Sequence, residues 1–296
     1  MPDSPPAKCV AAAKNLHFRI FPAHNFFTLS GNRMPLPAST SKNLFWVLNA
    51  FLGVAFIIEI SAPRFSTALD AATIALAAVA SVAALTRQLP LQNVLPTALI
   101  AALIGGLAHG LSSNSNYSIP FGPIAFSPAA GGKIFNFVPW TIPLLWVIAI
   151  FNARGVGRLI LRPWRKVKNY GYWLIGLTAI LATAFDLALE PYAWYVKHFW
   201  FWQRTKIALT WEGAALLNFV GWAFVSLLIM MFATPSLIRK QPGSPSSPDF
   251  HPLALWLGAL SLFATGSAGA GLWWPAGVDA AIAAVTTFFA VRGAKW

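Results

Sequence analysis

After residue 43 the chain alternates between long apolar stretches and short polar breaks, with apolar runs at 44–62, 67–86, 93–111, 134–152, 171–190, 213–234, 253–273 and 275–292. Each is close to the ~20 residues that an α-helix needs to cross a hydrocarbon layer of ~30 Å. The pattern predicts an all-α fold, a polytopic integral membrane bundle of about eight transmembrane helices forming a single domain over 44–292. The last two runs meet at Trp273-Trp274-Pro275-Ala276-Gly277. So tight a turn is also compatible with one long broken helix, which leaves seven helices as the alternative. Residues 1–43 hold no apolar run and are rich in proline and basic residues, so they are expected to form a disordered basic tail rather than a signal peptide. Starting translation at Met34 would remove no hydrophobic segment.

Composition agrees with the membrane assignment. With 57% hydrophobic residues, 10% charged residues and a mean hydropathy of +0.62, the chain has too few polar side chains to cover a soluble globule. Cys9 is the single cysteine, which excludes an intrachain disulfide, and no Cys/His cluster has zinc-site spacing. The net charge of +13 does not imply a nucleic-acid partner here. In a membrane protein, basic residues mark cytoplasmic loops and meet anionic lipid headgroups.

Alternate gaps between the predicted helices share the basic residues unequally. The tail, Arg87, the run from Arg154 to Lys168, Arg239 with Lys240, and Arg292 with Lys295 together hold 16 of the 21 Lys and Arg. Arg64, Lys133, Lys197, Arg204 and Lys206 fall in the other set. Both termini are therefore expected on the cytoplasmic side of the cytoplasmic (inner) membrane. The stretch Arg154–Lys168 reads as a lipid-facing cytoplasmic loop, its Gly155-Val156-Gly157 lacking the third glycine of a dinucleotide fingerprint. Gln241–Asp249, with its Ser and Pro, reads as a flexible linker.

The acids gather on the opposite side, where Glu59, Asp70, Asp186, Glu190, Glu212 and Asp279 all fall at or near helix ends. For Glu59, Asp70 and Asp279 an ordinary interfacial position is sufficient explanation. Asp186 lies about a turn inside its helix, where an ionised side chain costs ~2–3 kcal/mol unless it is paired or hydrated. Glu190 follows four residues later, on the same helical face, and Pro191 is expected to stop that helix. Next come Tyr192, Trp194, Tyr195, Phe199, Trp200, Phe201, Trp202 and Trp211, then Glu212. This ring density suits either an interfacial aromatic belt or the lining of a site. The Pro- and Gly-containing gap from Leu111 to Lys133 faces the same side, so Pro120-Phe121-Gly122 is expected against the Asp186 region. His109, at the mouth of the third helix, is either a proton-relay residue or a packed neutral imidazole.

Three segments resemble a carotenoid biosynthesis membrane family that includes bisanhydrobacterioruberin hydratase and the gamma-carotene 1'-hydratases. Pro120-Phe121-Gly122 is similar to the family's Pro-Phe-Gly loop, Asp186 to Pro191 to its Asp-x-x-x-Asp-Pro, and Asn218-Phe219-Val220-Gly221-Trp222 to its Asn-Phe-x-Gly-Trp. The resemblance covers residues 95–235. Departures are Ile124 and Phe126 where the family has tyrosines, Glu190 in place of the second aspartate, and Gly213-Ala214-Ala215 in place of Gly-x-Pro.

The resemblance implies a hydro-lyase that adds water, without a cofactor, to the terminal double bond of an acyclic carotenoid or related isoprenoid. Such a reaction needs a proton donor, surroundings that tolerate a tertiary carbocation, and a positioned water. Desolvation favours the neutral form of a carboxyl, so Asp186 is the expected donor. Glu190, one turn nearer the water, would stay ionised and orient the attacking water. Trp200, Trp202 and Trp211 are expected to face the cation, with Pro120, Phe121, Gly122, Asn218 and Trp222 completing the substrate site. His109 and Glu212 are candidate relays, and no metal ligand is assigned. The alternatives are a non-catalytic carotenoid or isoprenoid-lipid carrier, an end cyclase sharing the protonation step, and a prenyltransferase. The last needs two acidic motifs, and one is present.

Overall fold

The structure is a computed structural model that describes residues 38–61, 67–114, 118–203, 209–238 and 247–296. The tail with Met34 and most of the Gln241–Asp249 linker lie outside the described residues. Eight long helices are present among those described: α1 (Ala38–Ser61), α2 (Thr67–Thr86), α3 (Leu91–Asn114), α4 (Thr141–Ile160), α5 (Tyr170–Pro191), α6 (Leu216–Leu237), α7 (His251–Gly269) and α8 (Trp273–Ala294). The chain is an all-α polytopic membrane bundle. Helices α2 to α8 are each long and apolar enough to cross a membrane, and α1 has a described apolar stretch over Phe45–Ile58. The last two helices are separate. Their turn falls at Ala270–Leu272, with Gly271 at φ +81°, and Trp273-Trp274-Pro275 forms the first turn of α8, where proline's missing N–H leaves no bond unmade.

Helix α4 is the axis of the bundle and packs against α2, α3, α5, α7 and α8. It is buried on nearly every side, whereas the other spans keep a face of exposed apolar residues such as Leu95, Leu99 and Leu103 on α3. Small residues permit the close approaches: a methyl group added at Gly293 of α8 would lie 2.2 Å from the Leu159 carbonyl oxygen of α4. The one polar side chain midway along α4, Asn152, is satisfied by Ser81 of α2 at 2.9 Å and by the Ile148 carbonyl.

This axis is displaced from the expected run at 134–152. Residues 133–139 form a small hairpin instead, and the helix continues through Arg154 and Arg158 to Ile160. Arg154 is thus not in a lipid-facing loop. It is 6% exposed and donates to the Leu237 carbonyl of α6 at 3.2 Å, a partner invisible to any charge count along the chain.

Three short antiparallel strand pairs cover the end of the bundle that carries the acids: β1 (Ile124–Phe126) with β4 (Trp200–Trp202), β2 (Lys133–Ile134) with β3 (Val138–Pro139), and β5 (Thr210–Trp211) with β6 (Ala214–Ala215). The β1–β4 register sets Ile124 opposite Trp202 and Phe126 opposite Trp200, so the loop after α3 and the aromatic loop after α5 pack together. Two further backbone bonds, Ser127 N to Phe199 O and Gln203 N to Pro123 O, extend this ladder.

Candidate functional site

Helix α5 sets the two carboxyls one above the other. Asp186 and Glu190 are 1% and 2% exposed, so both are buried and Glu190 does not reach the water it was expected to face. The reason is β4. In an extended strand alternate side chains share a face. Trp200 and Trp202 therefore both point inward while Phe201 points out, and the strand lies over the helix end as a lid of indoles.

The α-helix ends at Pro191 as expected, but the chain goes on winding past it. Lacking an N–H, the proline leaves the Leu187 carbonyl without the usual intrahelical donor. Trp211 Nε1 supplies that bond at 3.1 Å, and the backbone widens into a π turn over Tyr192–Val196, closed by Lys197 N donating to Tyr192 O. Trp211, expected to face substrate, thus ties β5 to the broken turn of α5. The same end holds a buried ion pair, Lys197 with Asp70 of α2 at 2.7 Å. Asp70, expected at an interface, is 8% exposed, and nothing along the chain pairs it with Lys197, 127 positions away. Asp279, expected at an interface, is 1% exposed within α8.

The carboxyl pair is bridged. Asn218, on the first turn of α6, donates through Nδ2 to Asp186 Oδ2 and to Glu190 Oε1, the latter at 2.9 Å. Glu190 Oε2 accepts from Trp200 Nε1 at 3.0 Å and from Trp202 Nε1 at 2.8 Å. Glu190 therefore has three N–H donors shared over its two oxygens, whereas Asp186 has one. Asp186 Oδ1, Asn218 Oδ1 and Trp222 Nε1 are buried without a partner among the described residues. The indoles of β4 present their N–H edges to Glu190, a role that their sequence pattern did not reveal.

The Pro-Phe-Gly loop meets this cluster from the other side. Its Phe121 N donates to Ser112 Oγ of α3 at 3.0 Å, and Phe121 is fully buried. Gly221 makes that docking possible, because an added methyl would sit 2.6 Å from Phe121 Cδ1 and 2.7 Å from the Pro120 oxygen. Gly122, at φ +108°, turns the chain toward Trp202. One helical turn beyond Asn218, Trp222 stacks on Trp146 of α4 with ring centroids 3.9 Å apart, and Phe121 and His109 complete an aromatic group around it. Trp146 was not singled out in the sequence, since nothing marks one tryptophan of an apolar run as turned inward.

Among the described residues, neither His109 nor Glu212 hydrogen-bonds to the carboxyl pair. Trp146 Nε1 donates to His109 Nδ1 at 3.0 Å. Indole is a donor only, so in this shorter bond Nδ1 accepts and the proton sits on Nε2; Nδ1 also lies 3.3 Å from the Gly105 carbonyl, a contact that only the other tautomer makes a hydrogen bond. Glu212 is half-buried on the turn between β5 and β6, at φ +43°, with its carbonyl accepting from the Tyr195 hydroxyl at 3.3 Å. Among the described residues, no group of three or more His, Cys, Asp or Glu is arranged to hold a metal ion.

The fold and the buried acids define a class: a helical membrane protein with a carboxyl pair enclosed by aromatic rings near one end of the bundle. The chain belongs to the carotenoid biosynthesis protein family, which matches it over residues 69–286, and its role lies in carotenoid biosynthesis. That match takes in α2 to α7 and most of α8, including every residue of the site described above. Comparison with curated proteins and with solved structures gave no match.

Proposed function

We propose that the protein hydrates the terminal double bond of an acyclic carotenoid end, with Asp186 as proton donor and Glu190 as the base that orients water. The observation carrying this reading is the unequal hydrogen bonding of the pair. Donors stabilise the ionised form of a carboxyl, and Glu190 has three of them against one for Asp186. Two buried carboxyls that share one amide titrate as a unit, and the proton of the unit resides on the less-donated member. Asp186 Oδ1, without a partner among the described residues, is the oxygen that carries and delivers it.

The steps balance without a cofactor. The π pair of the alkene takes the Asp186 proton to form a C–H bond, leaving a tertiary cation at the neighbouring carbon. A water oxygen bonds to that carbon and gives a proton to Glu190, and return of a proton to Asp186 closes the cycle. The product is a tertiary alcohol heavier than the substrate by one water. On this reading the cation meets Phe121 and the faces of Trp146 and Trp222 not used in their mutual stacking, each contributing ~1–2 kcal/mol in a desolvated setting. The partners on this reading are the carotenoid and the surrounding lipid. The uneven spread of basic residues supports a cytoplasmic-membrane location with both termini inside.

The test is expression in a lycopene-producing host with mass analysis of the carotenoids. Asp186→Asn keeps the shape, removes the acid and is expected to lower product by ~100-fold to 10,000-fold, the range of general acid catalysis. Glu190→Gln should leave residual product. Near-normal turnover by Asp186→Asn with a dead Glu190→Gln would exchange the two roles. Indifference to both changes would make the protein a carrier of the polyene.

A further inference from the structure

The acids occupy one end of α5, and a second feature occupies the other, about 18 Å away from Leu174 to Asp186 at the helical rise per residue. There a cavity of about 580 Å³ opens between the loop after α2, the last turns of α4, the start of α5, the end of α6 and the start of α7. Its polar wall holds Arg87, Arg154, Arg158, Arg162 and Arg165. Its apolar wall includes Leu174, Ile175, Met230 and Leu237.

Among the described residues of the wall the one carboxylate is Asp249, and its oxygens are taken. Asp249 Oδ2 accepts from Gln88 Nε2 at 2.8 Å, and Oδ1 is held by the His251 backbone N–H and by His251 Nδ1. Arg158 Nη1 donates to the side-chain oxygen of Gln88, Oε1. Arg154 uses Nη2 on the Leu237 carbonyl, while its Nη1 is buried with no acceptor among the described residues. Burial, and then the like charges of Arg165 and Arg158, push the Arg162 guanidinium below its ordinary value. A buried guanidinium nitrogen without a protein acceptor is costly, and an anion in the cavity would offset that cost.

We propose that this cavity binds a phosphate group, with Arg154 Nη1 as its deepest donor and Arg158 and Arg162 closing around it. The planar fork of arginine matches phosphate oxygens two at a time. Basic pockets between helices at a membrane surface suit phospholipid headgroups in particular, and the apolar wall continues the pocket toward an attached chain. A free phosphate would use the same donors.

The experiment uses the full chain in nanodiscs of phosphatidylcholine and follows thermal unfolding. One arm replaces part of the lipid with phosphatidylglycerol, a second adds inorganic phosphate, and a third adds chloride at matched ionic strength. Each arm is run on the wild type, on Arg154→Gln, and on Arg162→Gln/Arg165→Gln, which lie half-buried and exposed in the loop after α4. The expected result is a rise in midpoint with phosphatidylglycerol that chloride does not reproduce, and about a tenfold weaker apparent affinity in the variants, the loss of one charge-assisted bond. A rise with phosphatidylglycerol alone identifies a headgroup, and a rise with inorganic phosphate identifies a free anion. Should Arg154→Gln fail to fold, the loop variant decides. No rise beyond chloride in either arm, or a rise undiminished in the folded variants, overturns the proposal.

Discussion

Replacing Trp200 and Trp202 by phenylalanine, singly and together, measures how firmly β4 is anchored on Glu190. Both indoles donate to one oxygen, Glu190 Oε2, at 3.0 and 2.8 Å. A hydrogen bond to a charged acceptor contributes ~1.5–3 kcal/mol, and either single change falls near the low end because Oε2 keeps one donor. The double change strips the last donor from a buried oxygen and adds its desolvation cost, so it should exceed the sum of the singles by about 1 kcal/mol. Backbone pairing with β1 is untouched by either change, which keeps the comparison local. In a Glu190→Gln background the acceptor is neutral, and each Trp→Phe change should cost only about 1 kcal/mol. The assay is SDS titration of the full chain in mixed micelles, followed by far-UV circular dichroism, with free energies taken from midpoints at a common slope. Strict additivity within about 0.3 kcal/mol, together with unchanged costs in the Gln background, would refute the anchoring argument.

Gly221→Ala should destabilise by ~1–3 kcal/mol and reduce carotenoid product, because the new methyl meets the Pro120 carbonyl, which cannot swing aside. Gly176→Ala on α5, with nothing within 4 Å, is the matched control and should be neutral or slightly stabilising in the same titration. A topology reporter fused after Lys240 should read cytoplasmic, and an external signal would reverse the proposed orientation.

Hydropathy was sufficient to show that this chain is a helical membrane bundle, because whether ~20 consecutive residues can span a bilayer is a local property of composition and length. Asp186 and Glu190 were also legible, since a four-residue spacing sets both on one helical face and an acid inside an apolar run is conspicuous. Other features depend on residues far apart in the chain. Trp211 answers the carbonyl that Pro191 frees, Asn218 joins the carboxyls from another helix, and Trp146 turns His109 into an acceptor. The strand that brings Trp200 and Trp202 onto Glu190 pairs with residues more than seventy positions earlier. Arg154 is the sharpest case. Counted along the chain it belonged to a basic surface loop, yet α4 runs on past it into the interior, where the Leu237 carbonyl receives it. Burial and hydrogen bonding of a polar group depend on what other helices bring to it, and tertiary packing alone decides that.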